Sequence, residues 1–301
     1  MRYKDLKIDG QKVILNNKQS IFFDTNSIQK NISEIKFPVL IVDTEFFNRS
    51  HDWEKTEPHL YDEQNKDQVY LINYSFAKSF KEIEIRNNFK SINNLSIKRK
   101  PNDLNYDFKK QHDSMFASFM SMCFNKNIKT VIFAGQDNDK KILENWINSH
   151  KSLFHNRKSD LFILNKETNT YKLNSFDIYD LLEQTLSFTN FDSEGNKFYN
   201  ENNLKNGQKE QTIALRSLKK FFNYTRKLHT NVDFEEEDIT FLCTKALKFY
   251  SLKELDEKQH AYLSKFIKDV KKHCYNDVLK ILLLIKFINY IYWKIVEKKD
   301  E

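Results

Sequence analysis

The strongest constraint on this chain lies in residues 37–47, FPVLIVDTEFF, where four consecutive apolar residues run straight into two carboxylates. An apolar run of this kind reads as a buried strand. Its period of two sets Asp43 and Glu45 side by side on one face, with Thr44 pointing the other way. Two like charges in a part-buried place repel each other and lose hydration, so something positive must stand against them. Either a basic side chain or a divalent cation can do so, and the remaining sequence has to be read with both in view. The position itself favours a ligand, because the carboxyl ends of strands in open α/β sheets are where ligands bind.

The surrounding segments predict the layers. QVYLINYSF (68–76) and EIEIRNNF (82–89) have the β-branched and aromatic content of strands, separated by a polar turn, and residues 90–103 read as loop with Pro101 as a breaker. Apolar spacing predicts a helix over 106–124, a short strand over 129–135 closed by Gly135, and a helix over 137–147. A polar hairpin around 161–176 precedes FDIYDLLEQTL, residues 190–210 read as a surface loop, and 212–222 with most of 239–296 as helices. The expected fold class is therefore α/β, a mixed sheet flanked by helices. Its first three strands are antiparallel, which is the ribonuclease H-like arrangement. Residues 1–36, with the apolar runs KVIL and SIFF, read as an N-terminal extension ahead of one domain over 37–301.

Two further acidic places bear on the opening pair. In FAGQDNDKKIL, Asp137 and Asp139 follow a strand and open a helix, where acidic side chains cap free N–H groups. By position Asp137 is the cap, and Asp139 falls inside the first turn. In HCYNDVLKILLLIKF, the apolar row Val270, Cys274, Ile281, Leu284 and Ile288 passes through Asp277. A carboxylate on a buried stripe needs a partner or a metal. His273 lies one turn earlier on nearly the same face, so a simple His–Asp pair on the helix is the competing explanation.

These pieces together resemble the DEDD superfamily of 3′–5′ exonucleases, which includes ribonuclease T, oligoribonuclease and polymerase proofreading domains. Asp43 and Glu45 match its DxE motif, Asp139 its second motif and Asp277 its third. His273 stands where the family has a tyrosine four residues before the last aspartate, and Gly135 stands where it has an asparagine. The resemblance implies a ribonuclease H-like domain over roughly 37–290, with two Mg²⁺ or Mn²⁺ ions between Asp43, Glu45, Asp139 and Asp277. It implies hydrolysis of phosphodiester bonds at single-stranded DNA or RNA ends. Hard ions of this kind prefer oxygen ligands. His273 would then accept the proton of the attacking water, a task suited to imidazole. An inactive ribonuclease H-like module that binds nucleic acid or protein is the alternative from a different class.

Other features are weighed against that frame. Phe46 and Phe47 follow the acidic pair and could stack on a terminal base or fill the core. The basic stretch IKRK (97–100), with Lys109 and Lys110, could touch phosphates, but reads more simply as a solvated surface. Asp177 and Asp180 look like a helix cap and a surface charge, and FEEED (234–238) like a solvated loop or helix start. Four glycines can hardly furnish a nucleotide-binding loop, and no Walker or Ser–His–Asp pattern is present. The formal charge of +7 suits a polyanionic partner, although a general bias of composition towards Lys, Asn, Ile and Phe, with only 4 Gly and 3 Pro, accounts for it as well. The three cysteines, Cys123, Cys243 and Cys274, lack disulfide or metal-ligand spacing and point to a reducing compartment, the cytoplasm. No signal-like segment opens the chain. The apolar stretch 278–296 is broken by Lys280, Lys286, Asn289 and Lys294, which predicts a buried amphipathic helix rather than a membrane span.

Overall fold

The structure, a computed structural model, describes residues 6–15, 17, 20–47, 68–85, 92–153, 159–189 and 239–297. The expected loop at 190–210, the helix at 212–222 and the acidic run at 234–238 lie outside the described residues. In chain order the elements begin β1 (Lys7–Asp9), β2 (Lys12–Ile14), β3 (Ser20–Phe23), α1 (Thr25–Ser33), β4 (Val39–Phe47), β5 (Gln68–Ala77) and α2 (Phe80–Ile85). There follow β6 (Asn93–Ser96), α3 (Phe108–Asn125), β7 (Thr130–Phe133), α4 (Gln136–Ser149), β8 (Phe162–Asn165) and β9 (Thr170–Leu173). The chain continues with β10 (Ser175–Asp177), α5 (Ile178–Thr185), β11 (Leu186–Thr189), α6 (Ile239–Ser251) and α7 (Glu257–Glu297).

The chain divides into two compact units. One gathers Met1–Lys36, Asp177–Asp233 and Lys280–Glu301; the other gathers Phe37–Phe176 and Phe234–Leu279. In the first, the sheet runs β1-β2-β3-β11, and its neighbouring strands pair antiparallel. The runs KVIL and SIFF supply two of these strands. Helix α1 starts at Asp24, whose carboxylate accepts the N–H groups of Asn26 and Ser27 at 3.1 Å each and the Ser27 hydroxyl at 2.8 Å. Those bonds hold the Asp24 carboxyl below the usual carboxylate range. Asp177 caps α5 by accepting the Tyr179 N–H at 2.8 Å, and Asp180 is exposed in the first turn, as the spacing predicts.

The second unit is a five-stranded mixed sheet, ordered β10-β7-β4-β5-β6 and flanked by helices. Strands β4, β5 and β6 pair antiparallel in succession, while β7 lies parallel to β4. Central strand β4 is apolar because both faces of its first half are covered: Val39, Leu40, Ile41 and Val42 are all buried. Behind the sheet, α3 and α4 meet around Trp146, which is flanked by Phe116 at 4.7 Å and Phe119 at 5.9 Å between ring centroids.

One strand moves relative to expectation. Residues 80–85 are helical, not extended, and the third strand of the sheet is Asn93–Ser96, in the stretch expected to be loop. The cause is a capping arrangement that outweighs β-propensity. Ser79 Oγ accepts the Glu82 N–H at 3.3 Å, and Glu82 Oε2 reaches back to the Lys78 N–H at 2.8 Å. Helix α7 carries the apolar stretch 278–296 with most of its large side chains buried, Trp293 being an exposed exception. Among the described residues no helix is long and apolar enough to cross a membrane.

Candidate active site

The site is built where β4 outlasts its neighbour. Pairing of β4 with β7 stops at Ile41, since β7 ends at Phe133, but β4 continues to Phe47 against β5. Beyond Ile41 the β7 side of β4 therefore has backbone groups that the ladder does not use. Asp139, from the first turn of α4, takes up one of them: its Oδ1 accepts the Thr44 N–H at 3.1 Å and also the Thr44 hydroxyl. A tight turn brings α4 to this edge, with Gly135 at φ +83° as its N-terminal boundary residue. That is a left-handed conformation which glycine adopts without steric cost. The helix boundary at Gly135 replaces the expected cap at Asp137, which is one residue inside the helix and whose side chain lies outside the described set.

On the other face of β4, Asp43 and Glu45 sit side by side, as the alternation requires. Asp43 is half-buried and Glu45 is buried. Directly after Glu45 the register with β5 slips, so that Glu45 faces Leu71 and Phe46 faces Val69. This bulge leaves Tyr70 as the extra residue, and its hydroxyl lies 3.1 Å from Cys243 Sγ on α6. Cys243 in turn reaches Glu45 Oε2 at 3.8 Å. On α7, Cys274 Sγ donates to the Asp43 carbonyl at 3.3 Å, and ligand atoms of Asp43, Glu45 and Cys274 all lie within 4.8 Å of one another. Asn73, directly opposite Asp43 in the register, donates its side-chain amide to the Lys271 carbonyl at 2.9 Å and so ties α7 to β5.

Asp277 follows one turn after His273, with His273 Nε2 3.5 Å from Asp277 Oδ2 and each side chain 21% exposed. The pair expected as the bland alternative thus exists. Asp277 nevertheless also acts on the strand acids: its charge raises both Asp43 and Glu45. The structure accordingly brings Asp43, Glu45, Asp139 and Asp277 into one electrostatic group, with His273 attached through Asp277.

The electrostatics are one-sided. Burial first, then the charges of Asp277, Asp139 and Glu45, push the Asp43 carboxyl well above its usual range. Glu45 is raised by burial and by Asp277 and Asp139. Burial lifts Asp139 to about 6, in spite of the Thr44 hydrogen bonds that pull it down. Burial likewise pushes the Cys243 thiol up to about 12 and holds Cys274 well above its ordinary value, so both remain S–H donors. Among the described residues, no lysine or arginine forms an ion pair with Asp43, Glu45 or Asp139. The basic-side-chain answer to the opening pair is therefore not what the described residues provide. The two strand carboxylates, with the charges of Asp139 and Asp277 acting on them, supply oxygen donors of the kind a hard divalent cation prefers.

Two expectations need correction. Phe47 is wholly buried and stacks on Tyr70 at 4.2 Å, so it fills the core and offers no face to a base; Phe46 is half-buried. Arg99, at the centre of IKRK, is buried and not a phosphate ligand. Its guanidinium donates to the Phe249 carbonyl at 2.9 Å and to the Leu252 carbonyl, terminating α6, and lies 4.1 Å from the Tyr106 ring centre. Lys98, Lys100, Lys109 and Lys110 are exposed.

Sequence reasoning missed Thr44, Asn73, Cys243 and Cys274. Thr44 and Cys274 carried a signal, being neighbours of the acids on the elements already singled out; Asn73 and Cys243 become neighbours only through sheet register and helix packing. No protein-family model matches the chain, and no curated relative matches it.

Proposed function

We propose that the second unit is a ribonuclease H-like domain acting as a metal-dependent 3′–5′ exonuclease on single-stranded DNA or RNA ends, in the cytoplasm. The carrying observation is the acidic group around β4: Asp43, Glu45 and Asp139 are each pushed up by burial and by neighbouring acids, Asp277 adds its charge to theirs, and no lysine or arginine among the described residues pairs with those three. A site that holds that much uncompensated negative charge is suited to cations. Support for the fold comes from the antiparallel succession β4, β5, β6 with a parallel fourth strand. Support for the compartment comes from three buried, unpaired cysteines.

In this reading Asp43, Glu45, Asp139 and Asp277 would hold two Mg²⁺ or Mn²⁺ ions, which would supply an activated water and charge to stabilise the leaving oxygen. The chain's own residues do the rest. Thr44 fixes one oxygen of Asp139 and so the direction of the other. Asn73 and Cys274 hold α7 against the strand, keeping Asp277 beside Asp43. His273 would take the proton of the attacking water at Nε2, the nitrogen that faces Asp277. Half-buried Phe46, packed at the margin of the core, would be the ring that meets a terminal base.

A specific observation favours the inactive-module alternative: the Cys243 thiol already supplies an S–H donor to the Glu45 carboxylate, and the Cys274 thiol occupies the main-chain carbonyl of Asp43. End-labelled single-stranded DNA and RNA incubated with Mn²⁺, with and without chelator, separates the two. Stepwise shortening from the 3′ end that stops with chelator supports the exonuclease. Intact substrate that is retained by the protein supports the module.

A further inference from the structure

A second, chemically different group lies between α3 and the end of α4, where His112, Asp113 and His150 bring ligand atoms within 4.8 Å of one another. We propose that it is a Zn²⁺ site with two imidazoles, one carboxylate and an open position towards solvent, and that it clamps α3 to α4. This does not depend on the nuclease reading.

The neighbours of His150 fix its tautomer. Its Nδ1 lies 3.0 Å from the Trp146 carbonyl, which only accepts, and 2.9 Å from Ser149 Oγ, which itself donates to that carbonyl at 2.8 Å. Nδ1 therefore carries the hydrogen, and Nε2 of the neutral ring is left with its lone pair. That lone pair meets Asp113 Oδ1 at 3.0 Å, also an acceptor. Two acceptors at hydrogen-bond distance need a proton or a cation between them. A proton serves two atoms, but here a third donor, a ring nitrogen of His112, belongs to the same group. Three convergent donors are what a metal ion uses.

The donor set and its support point to zinc. Two histidines and one carboxylate with a free fourth position suit Zn²⁺, whereas the carboxylates around β4 suit harder ions. The Nδ1 contact with a main-chain carbonyl is the outer support typical of ligating histidines. His112 is 3% exposed and packs beside Phe108 and Trp146, and the His150 ring stacks on Phe116 at 4.4 Å. Asp113 is 48% exposed at its side chain, which gives an ion its way in.

The full chain, held in excess Mg²⁺, is titrated with Zn²⁺ against a chromogenic chelator. The expected result is one tightly held equivalent in the parent and in Asp43→Asn. That equivalent weakens by about 100-fold or more in Asp113→Asn and in His150→Gln, more than the loss of an outer support would cause. Zn²⁺ should also raise the melting temperature of the parent but not of these two variants, whose circular dichroism without Zn²⁺ reports that they are folded. Three results overturn the proposal. They are no held equivalent in the parent, an equivalent unchanged in folded Asp113→Asn and His150→Gln, or one lost in Asp43→Asn, which would put the zinc in the acidic group instead.

Discussion

Raising the pH of the metal-free protein should weaken it, and Asp139→Asn should remove much of that weakness. Burial lifts Asp139 from an ordinary 3.8 to about 6. The folded protein therefore holds this proton more tightly than the unfolded chain does. Its contribution to stability is complete below the unfolded value and is lost as the pH rises through about 6. At about 1.4 kcal/mol for each unit between 3.8 and about 6, the ionised carboxylate costs about 3 kcal/mol near pH 8. Asp43 and Glu45 are raised for the same reasons, so the group shares its protons and about 2–3 kcal/mol is the expected difference. Asparagine keeps the oxygen that Thr44 needs and stays neutral throughout. Urea unfolding in chelator from about pH 4 to pH 8, parent against Asp139→Asn, reads the effect, and subtraction cancels the histidines common to both. The two stability curves should meet at the acid end, part between about pH 4 and pH 6, and stay apart above that, with the variant the more stable. Adding Mn²⁺ should close the gap by stabilising the parent. Curves that run parallel across the range would refute the reasoning, because the carboxylate would then be titrating as it does in the unfolded chain.

Three more outcomes follow from the same contacts. Asp43→Asn should abolish Mn²⁺-dependent cleavage of end-labelled strands while circular dichroism stays native; full activity in a folded variant would end the nuclease reading. His273→Ala should bind Mn²⁺ as the parent does in calorimetry yet turn over about 10²–10⁴-fold more slowly, with part of the rate restored in His273→Tyr. A parental rate for the alanine variant would reduce His273 to a partner of Asp277. Asp24→Ala should lose about 0.5–2 kcal/mol in urea unfolding, since two N–H groups at the start of α1 lose their acceptor. An unchanged midpoint would mean that water satisfies them equally well.

Much of the sheet was legible because its strands announce themselves by composition. The apolar run at 39–42, the aromatic run at 68–76 and the short run at 129–135 are all strands in the structure. The third strand was not legible. Asn93–Ser96 is polar and partly exposed, so it has neither the alternation nor the β-branched content that marks a strand. Register with β5, Leu71 against Ser96 through Tyr74 against Asn93, is what makes it one. Residues 82–85 misled for the converse reason, since a local cap at Ser79 and Glu82 decides the conformation of so short a segment. Gln11 likewise gave no warning that it would hold both the N–H and the hydroxyl of Thr25 at 3.1 Å.

The acids were legible for a different reason, which also explains what was missed beside them. A charge placed on a buried stripe conflicts with its own surroundings, and such conflict can be read from one segment alone: Asp43 and Glu45 on the strand, Asp277 on the helix. The groups that accommodate them show no conflict and look ordinary. A threonine in a strand or a cysteine in an apolar helix is favourable wherever it falls, so Thr44 and Cys274 acquire meaning only from the partner the fold brings. Choosing between Asp137 and Asp139 shows the same limit at its sharpest. Both open the same helix and both can serve its dipole. What distinguishes Asp139 is that β7 ends at Phe133 while β4 runs on to Phe47, leaving the Thr44 N–H without a strand partner. The helix phase that delivers residue 139 to that N–H is set by the left-handed turn at Gly135. The glycine at 135 is thus part of the geometry that makes Asp139 a member of the group.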